Sequence, residues 1–404
     1  MQISFTILVV IWMMSQLFRI KQSIHMLQLN GYFNNRFLHW MKQHRTKVVP
    51  VNEWFALVSI ILIIFNTYWI VALLPLLLLW IPTGKTNQEK KKLAYTPRVK
   101  RLLTTIALIY LLLVATILHF VWREDSLLIA TVLLLISSMA TYGFVLLANL
   151  INRPIENAIK QSYYKDASQI ISQMPDLKKV GITGSFGKTS TKFILDTILT
   201  THFNTLKTPE SFNTKIGVTI TVRNSLKPYH DVFIAEMGAK EPGNIQEICE
   251  LVGHNYAVLT AIGEQHLETF KTLDNIKKTK YEIVESLPED GTAFLNRDDE
   301  NIMSYTPKNP CRRIYFAIDD ETADYVASDI YYHNKGTTFR VTNKAGSLDA
   351  TFDTKLLGKH NVYNMLAAIS VAWEMGVPLH KLQLGVKKVQ AVKHRMEIKK
   401  DSAD

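Results

Sequence analysis

Cysteine is scarce in this sequence. Only Cys249 and Cys311 occur among 404 residues, and neither belongs to a CxxC spacing or lies near a histidine pair. Zinc sites and disulfide frameworks need several cysteines at set spacings, so both are excluded. The cysteine content therefore fits a reducing compartment.

Basic residues are missing from the start of the chain. No Lys or Arg precedes Arg19, and the first residues are mostly apolar. A secretory signal peptide begins with a basic segment and ends in a small-residue cleavage pattern. The pattern found here argues against such a peptide.

Acidic residues are scarce in the first 160 residues, where 16 Lys and Arg stand against 5 Asp and Glu. Residues 161–404 hold 30 of each sign, so the formal net charge of +11 belongs to the first part. A basic soluble domain would suggest a nucleic-acid partner, but these basic residues lie between apolar runs. That arrangement is typical of cytoplasmic loops facing anionic lipid, so we expect a lipid bilayer and no nucleic acid as partner.

Long apolar runs fill the same part of the chain. Residues 54–81 contain no charged residue and would measure ~42 Å as one helix, more than the ~30 Å hydrocarbon core of a bilayer. Residues 3–18, 102–122 and 126–150 are further candidate spans. Helices buried in soluble proteins rarely stay apolar for 18 residues or more, so residues 1–150 are expected to be a transmembrane region.

The basic loops predict the orientation of these spans. Six Lys and Arg lie in residues 19–53 and seven in residues 82–101, and the positive-inside rule places both loops in the cytoplasm. Residues 54–81 would then enter and return as a hairpin, the alternative being one long tilted span. With the hairpin, the chain from residue 151 onward is cytoplasmic and the protein is a multi-pass protein of the cell membrane.

The stretch "GITGSFGKTSTKF", residues 181–193, lies between a predicted strand (177–183) and a predicted helix (191–203). Strand, glycine-rich turn and helix form the context of a phosphate-binding loop, because backbone N–H groups and the helix N-terminus approach the phosphate. Lys188 can reach the β- and γ-phosphates of ATP, and Thr189 can place a hydroxyl on Mg²⁺. The glycine spacing is T-G-x-x-G-K-T, which departs from the strict G-x-x-x-x-G-K-[ST] pattern.

Polar residues recur where predicted strands end, which is where doubly wound sheets place their chemistry. These residues are Lys188, Thr189, Glu236, His266 and Asn296. Residues 303–355 alternate apolar and polar residues between glycine turns, which predicts a small antiparallel sheet. The predicted fold class is an α-helical transmembrane region followed by an α/β region. The latter has a mostly parallel, doubly wound P-loop sheet with a small antiparallel sub-sheet.

Seven motifs then occur in order between residues 177 and 396: "TGSFGKTS", "SFNT", "AEMGA", "IGEQHLETF", "KTKYEI", "LLGKHNVYNMLAA" and "HRM". In this order they resemble the central ATPase domain of the Mur ligases, closest to the D-alanyl-D-alanine-adding type. The resemblance implies ATP and Mg²⁺ as cofactors. It also implies a reaction in which ATP phosphorylates a carboxylate to an acyl phosphate that an amine attacks.

The resemblance implies a role for each matching residue. The triphosphate would be bound by Gly184, Ser185, Gly187, Lys188, Thr189 and Ser190. The nucleotide would also be contacted by Asn296, His360, Asn361 and Asn364, with Arg395 at a hinge to a third domain. Metal ligands would be Thr189, Glu236, His266 and a carbamylated Lys280, and catalytic residues Lys188, Asn213, Glu236, His266 and Lys280.

Three of these positions have a plainer interpretation without the resemblance. His266 and His360 would then be surface or core histidines, and Lys280 would lie on a solvated helix face. The acidic run 298–300 is expected to be a solvated loop.

The chain departs from the family at both ends. Membrane segments replace the domain that grips the UDP-sugar precursor, which predicts a lipid-linked or cell-wall precursor as acceptor for an amino acid or dipeptide. We expect the family's third domain to be missing after "HRMEIKKDSAD". Three alternatives then remain open: the chain is truncated there, a separate subunit supplies the domain, or ligation is lost. We divide the chain into a transmembrane region (1–150), a linker (151–176), a Mur-ligase-like ATP-binding domain (177–396) and a tail (397–404).

These observations favour a membrane-anchored, ATP-dependent amide ligase of cell-envelope synthesis. One alternative is a catalytically incomplete ATP-binding membrane subunit that needs a partner. Another is a ligase of the poly-γ-glutamate synthase type, against which "SFNTKIGV" and "HNVYN" argue. A transport ATPase of the ABC type would require an "LSGGQ" run, and the sequence has none.

Overall fold

The computed structural model describes residues 2–49, 92–122, 127–210, 212–265 and 267–391. The chain forms two compact units, Met1–Lys160 and Gln161–Asp404. Four predicted features lie outside the described residues: the hairpin at 54–81, His266, Arg395 and the tail at 397–404.

The regular secondary structure in the described part of the first unit is all helix. Its helices are α1 (Gln2–Leu29), α2 (Asn34–Gln43), α3 (Arg45–Val48), α4 (Pro97–Val121), α5 (Leu127–Met139) and the first part of α6 (Thr141–Ser172). The start of α4 is well specified, because the Thr96 side chain accepts a hydrogen bond from the backbone N–H of Val99 and Pro97 occupies the first turn. Apolar side chains from several helices share one core, among them Ile24, Ile106 and Ala148.

The helix boundaries differ from the predicted spans. Residues 126–150 were expected to be one span, but α5 and α6 meet at Ala140. Residues 151–172 were expected to belong to a linker, yet they continue α6 as regular helix. By length and composition, one helix among the described residues can cross a membrane, namely α4.

The second unit is built on one nine-stranded sheet in the order β2-β3-β1-β4-β5-β6-β7-β8-β9. The strands are β1 (Lys178–Thr183), β2 (Thr205–Lys207), β3 (Val232–Glu236), β4 (Tyr256–Leu259), β5 (Thr292–Asn296), β6 (Arg312–Ala317), β7 (Tyr325–His333), β8 (Gly336–Asn343) and β9 (Asp349–Thr354). Its helices after α6 are α7 (Lys188–Leu199), α8 (Lys215–Ser225), α9 (Asn244–Val252), α10 (Leu267–Phe270), α11 (Leu273–Glu285), α12 (Glu300–Met303), α13 (Lys359–Glu374) and α14 (Leu379–Lys388).

Two apolar cores enclose this sheet. One joins α7, α13 and α14 to strand residues such as Val180 and Ile234, and the other joins α8, α9 and α11 to residues such as Phe233 and Ala257. Because both faces are covered, the central strands β3, β4 and β5 are mostly apolar. β3 is buried at every position up to Glu236. The predicted mostly parallel, doubly wound sheet is therefore confirmed.

The antiparallel part differs from the prediction. β6 falls within the region predicted to be antiparallel, but it pairs parallel with β5, and β7 pairs parallel with β6. Among the strands that the structure describes, only β7, β8 and β9 pair antiparallel, and they extend the main sheet. The parallel β5–β6 pair is allowed because the chain segment with α12 carries β6 back to the same edge of the sheet.

Candidate active site

The predicted phosphate loop is a strand–turn–helix in which β1 ends at Thr183 and α7 begins at Lys188. Gly184 has φ 150° and Gly187 has φ 81°, conformations that favour glycine. A Cβ on Gly184 would lie 2.1 Å from Thr260 Oγ1, and one on Gly187 would lie 2.5 Å from Asn364 Oδ1. The two glycines therefore let the loop pack directly against its neighbours.

Hydrogen bonds fasten this loop to the segment that follows β4. The Ser185 N–H donates to the carbonyl of Ala261 at 2.6 Å, and Ser185 Oγ lies 2.9 Å from the carbonyl of Gly263, to which it donates. Thr260 Oγ1 donates to the carbonyl of Phe186 at 2.5 Å. Hydrogen bonds to residues 260–263 thus hold the loop in one conformation, as a preorganised anion site requires.

Lys188 folds back over the loop. Its Nζ donates to the carbonyl oxygens of Gly184 at 2.5 Å and Ser185 at 3.0 Å. The side chain is half-buried at the N-terminus of the 12-residue helix α7, and Thr189 beside it is buried. An ammonium and a helix N-terminus both favour an anion, so this arrangement suits a phosphate group.

Glu236 lies next to this loop, because β3 pairs with β1 and Glu236 is in register with Ile182. The side chain is 1% exposed. Its Oε1 accepts a hydrogen bond from Asn213 Nδ2 at 3.1 Å. Its Oε2 lies 2.9 Å from Lys192 Nζ in an ion pair, yet that geometry is poor and Oε2 receives no well-aligned hydrogen bond.

A buried carboxylate oxygen with unused acceptor capacity fits a hard divalent cation. Across the described stretches of the chain, no three His, Cys, Asp or Glu side chains come together in a metal-binding group. Mg²⁺ usually takes one or two carboxylates and completes its shell with water and substrate phosphates. The donors present, Glu236 and the hydroxyl of Thr189, therefore fit Mg²⁺ that is shared with a triphosphate.

Asn213 connects this carboxylate to the loop that follows β2. Its carbonyl accepts a hydrogen bond from the N–H of Gly238 at 2.7 Å. A Cβ on Gly238 would lie 2.8 Å from Asn213 Cγ, so the close approach requires glycine. Thr214, the next residue, caps α8 through its side chain. The predicted catalytic Asn213 is thus a direct partner of Glu236.

Lys280 is enclosed on α11, with 4% of its surface exposed. Burial, assisted by the nearby ammonium of Lys188, lowers the pKa of Lys280 to about 7. The expectation of a solvated helix face is therefore wrong for this lysine, whereas Lys278 on the same helix is exposed. With such a pKa a large share of the amine is neutral at neutral pH, and the neutral amine is the form that carbamylation requires.

The predicted nucleotide contacts have different surroundings. Asn296 is buried, and its Nδ2 donates to the carbonyl of Thr260 at 3.2 Å. Asn364 Oδ1 accepts from Thr191 Oγ1 at 3.1 Å on the inner side of α7. Asn361 Nδ2 donates to the carbonyl of Leu357 at 2.8 Å, and the adjacent His360 is exposed.

The last three predicted site residues are His266, Arg395 and Ser190. His266 and Arg395 lie outside the described residues. Ser190 is half-buried in the first turn of α7. The structure thus gathers Gly184, Ser185, Gly187, Lys188, Thr189, Asn213, Glu236, Asn296 and Asn364 around the ends of β1, β3, β4 and β5.

Sequence reasoning missed Asp298, which was expected to lie in a solvated loop. Its carboxylate accepts hydrogen bonds from the backbone N–H groups of Ile318, Asp319 and Asp320 and from the hydroxyl of Tyr363 at 2.7 Å. Burial alone would raise the pKa of Asp298, but these hydrogen bonds outweigh it and lower the pKa. Asp298 therefore ties the end of β5 to α13.

Sequence reasoning also missed Lys192, whose side chain is fully buried. Two signals were present. It follows Lys188 by four residues, and so lies on the same face of α7, and the next two residues are the apolar Phe193 and Ile194.

Comparisons with known proteins agree with this geometry. Residues 182–372 match the Mur ligase middle domain. The chain is 31% identical over 258 residues to UDP-N-acetylmuramoyl-tripeptide--D-alanyl-D-alanine ligase of Escherichia coli K12, covering 62% of this chain and 56% of that protein. The chain spans about half the length of the curated relatives it matches.

Solved structures give the same result. MurF from Acinetobacter baumannii superposes with a TM-score of 0.55 at 27% identity, covering 60% of this chain and 52% of that one. MurF ligase from Thermotoga maritima, in complex with ADP, gives 0.52 at 27% identity over 57% and 52% of the two chains. The resemblance found in the sequence is confirmed over residues 182–372, which match the Mur ligase middle domain.

Proposed function

We propose that this chain is part of an ATP-dependent ligase of peptidoglycan-precursor synthesis that joins a carboxylate to an amine through an acyl phosphate. The observation that carries the proposal is the juxtaposition of the phosphate loop with Glu236 at the ends of adjacent strands β1 and β3. The curated relatives, named as D-alanyl-D-alanine-adding ligases, support this reaction class.

Each residue of the site has a task in this proposal. Lys188 and the first N–H groups of α7 bind the β- and γ-phosphates of ATP, where their positive charge stabilises the transferring phosphoryl group. Glu236 and Thr189 hold Mg²⁺, which offsets the negative charge of the phosphate oxygens when it is bound. Asn213 orients Glu236 through its 3.1 Å hydrogen bond. The neutral amine of Lys280 could add CO2 and release a proton, and the resulting carbamate would supply a further oxygen ligand for the metal.

The acceptor is proposed to be a lipid-linked or cell-wall precursor, with an amino acid or dipeptide as the amine. The support is the apolar first unit. Helix α4 has 25 residues, or ~38 Å of helix, and Leu108, Leu111 and Leu112 on it are more than half exposed. An apolar face of this kind suits lipid better than water. Membrane anchoring would hold the ATP site at the cytoplasmic surface, close to such a precursor.

Trapping with hydroxylamine tests the chemistry. Purified protein in detergent is incubated with MgATP, UDP-muramoyl-tripeptide or membrane-extracted lipid-linked precursor, and hydroxylamine. An acyl phosphate yields a hydroxamate and ADP in equal amounts. ATP binding without hydroxamate from either acceptor would favour the alternative of an ATP-binding subunit that needs a partner.

Cysteine labelling tests the anchoring and topology. In Lys90→Cys, the new thiol is expected to react with a membrane-impermeant maleimide only after the cells are opened. Asp125→Cys is the matched control: it lies between the predicted spans 102–122 and 126–150, in a loop that this topology places outside the cell, and should react in intact cells. The native Cys249 and Cys311 are buried, so background labelling is low. Labelling of Lys90→Cys from outside would contradict the proposed topology.

A further inference from the structure

The Lys192–Glu236 ion pair is completely enclosed. The side chains are 0% and 1% exposed, and Nζ lies 2.9 Å from Oε2. Lys192 Nζ also donates to the backbone carbonyl of Glu210 at 2.5 Å. One ammonium therefore contacts the end of β3 and the loop between β2 and α8, while its backbone belongs to the helix that begins at the phosphate loop.

A buried lysine in this position is costly for the fold alone. Removing an ammonium from water is expensive, and an apolar residue of similar size usually packs more favourably than a buried ion pair. Around Lys192, the buried side of α7 carries the apolar Ile194, Leu195 and Ile198. It also carries Thr189, Thr191 and Asp196, and Asp196 forms an ion pair with Lys207. The carboxylate that neutralises the charge of Lys192 is therefore Glu236, to which the proposed function assigns Mg²⁺.

We propose that Lys192 is a positioning residue that occupies the cation position of Glu236 in the nucleotide-free protein, so that Mg²⁺ enters only together with the triphosphate. This inference rests on the proposed function of the site as a MgATP site. The Glu236–Lys192 pair has no net charge, and its ammonium repels a second cation, so free Mg²⁺ gains little there. A triphosphate on the loop adds the negative charge that makes metal binding favourable.

Metal binding in the absence of nucleotide tests this inference. Free Mn²⁺, which is visible by electron paramagnetic resonance, is titrated with the full chain in detergent. Wild type is expected to bind Mn²⁺ weakly, and Lys192→Met to bind it at least ten times more tightly. Lys192→Arg keeps the charge and should stay at the wild-type affinity. Lys192→Met combined with Glu236→Gln should lose the gain, which assigns it to this carboxylate.

The same comparison is then repeated with a non-hydrolysable ATP analogue. The advantage of Lys192→Met should shrink to less than threefold, because the triphosphate now supplies the missing negative charge. Equal Mn²⁺ affinity of Lys192→Met and wild type without nucleotide would overturn the inference. It would leave the proposed function intact if wild type still binds the metal–nucleotide complex, whereas failure of that binding refutes the proposed function itself.

A folding defect in Lys192→Met would also be informative. Without metal the variant leaves Glu236 buried and unpaired, so its melting temperature should fall. Millimolar Mg²⁺ should raise that melting temperature by several degrees and should shift wild type much less, because a divalent cation can replace the lost ammonium. A melting temperature that Mg²⁺ does not restore would count against Lys192 as an occupant of the metal position.

Discussion

Charged side chains near the two ends of the parallel strands differ in how deeply they are buried. Beyond their carboxyl ends, Lys192, Glu236 and Lys280 are enclosed as charged or titratable groups. At the amino end of β6, the ion pair between Arg312 and Glu374 leaves the arginine side chain 63% exposed. Burying charge is costly, so the enclosed charges beyond the carboxyl ends have a reason there. His254, which is buried near the amino end of β4, is neutral at pH 7. The comparison indicates that the carboxyl end is shaped for a ligand and the amino end for solubility.

Glu236→Gln should produce the largest effect and tests the enclosed end directly. The variant keeps the shape of the side chain but leaves the Lys192 ammonium buried without its carboxylate. Loss of one partner of a buried pair costs about 3–5 kcal/mol. Urea unfolding of the metal-free protein measures this change, and a loss below 1 kcal/mol would show that the pair is not enclosed in solution.

Lys188→Ala should have the next largest effect, on binding and not on stability. We expect the affinity for a fluorescent ATP analogue to fall about 100-fold, or about 2.7 kcal/mol, because the variant removes the ammonium at the phosphate loop. Lys278→Ala removes the same charge from the exposed face of α11 and should change affinity less than twofold. Tight nucleotide binding by Lys188→Ala would refute the assignment of the loop.

The comparison also shows what sequence could predict. The phosphate loop and the strand ends followed from local patterns, because glycines with φ above zero and buried strands leave a mark within a few residues. Lys192 and Asp298 were missed since their partners are distant in sequence: Glu236 lies 44 residues from Lys192, and Tyr363 lies 65 residues from Asp298. Before the fold is known, a single lysine on a helix and an aspartate in a charged run both resemble solvated residues.

Asn364 shows that a correctly identified motif residue does not reveal what its side chain contacts. The resemblance to Mur ligases assigned it to the nucleotide, and the structure places its amide oxygen 3.1 Å from Thr191 Oγ1, packed against Gly187. A motif identifies which residue matters, but the packing around it determines whether its amide faces the ligand or the protein. The pairing of β6 was mispredicted for a related reason. Alternation of apolar and polar residues predicts a strand but does not reveal whether its partner runs parallel or antiparallel.

The buried His254, near the amino end of β4, predicts how the free energy of unfolding depends on pH. It is buried just before β4, with Nε2 at 2.7 Å from the carbonyl of Ile283, and burial lowers its pKa to about 4. Above pH 6.5 the ring is neutral in both states, and as pH falls the unfolded state takes up the proton first. Stability should therefore fall by roughly 2 kcal/mol between pH 6.5 and 4.5.

His254→Gln is the control variant, since it removes the titrating group. Its urea midpoint should change less than that of wild type over the same pH range. Equal acid sensitivity of the two proteins would mean that His254 is already protonated or solvated in the folded state.

Arg312→Gln should have the smallest effect and tests the exposed end. Its guanidinium lies 2.8 Å from Glu374 Oε2, but water reaches most of the arginine side chain. Exposed pairs contribute about 1 kcal/mol or less, and Glu374 keeps its hydrogen bond from the Tyr325 hydroxyl in the variant. Urea unfolding measured beside Glu236→Gln makes the contrast quantitative. Equal losses in the two variants would remove the distinction between the ends of the sheet, because an exposed pair would then matter as much as an enclosed one.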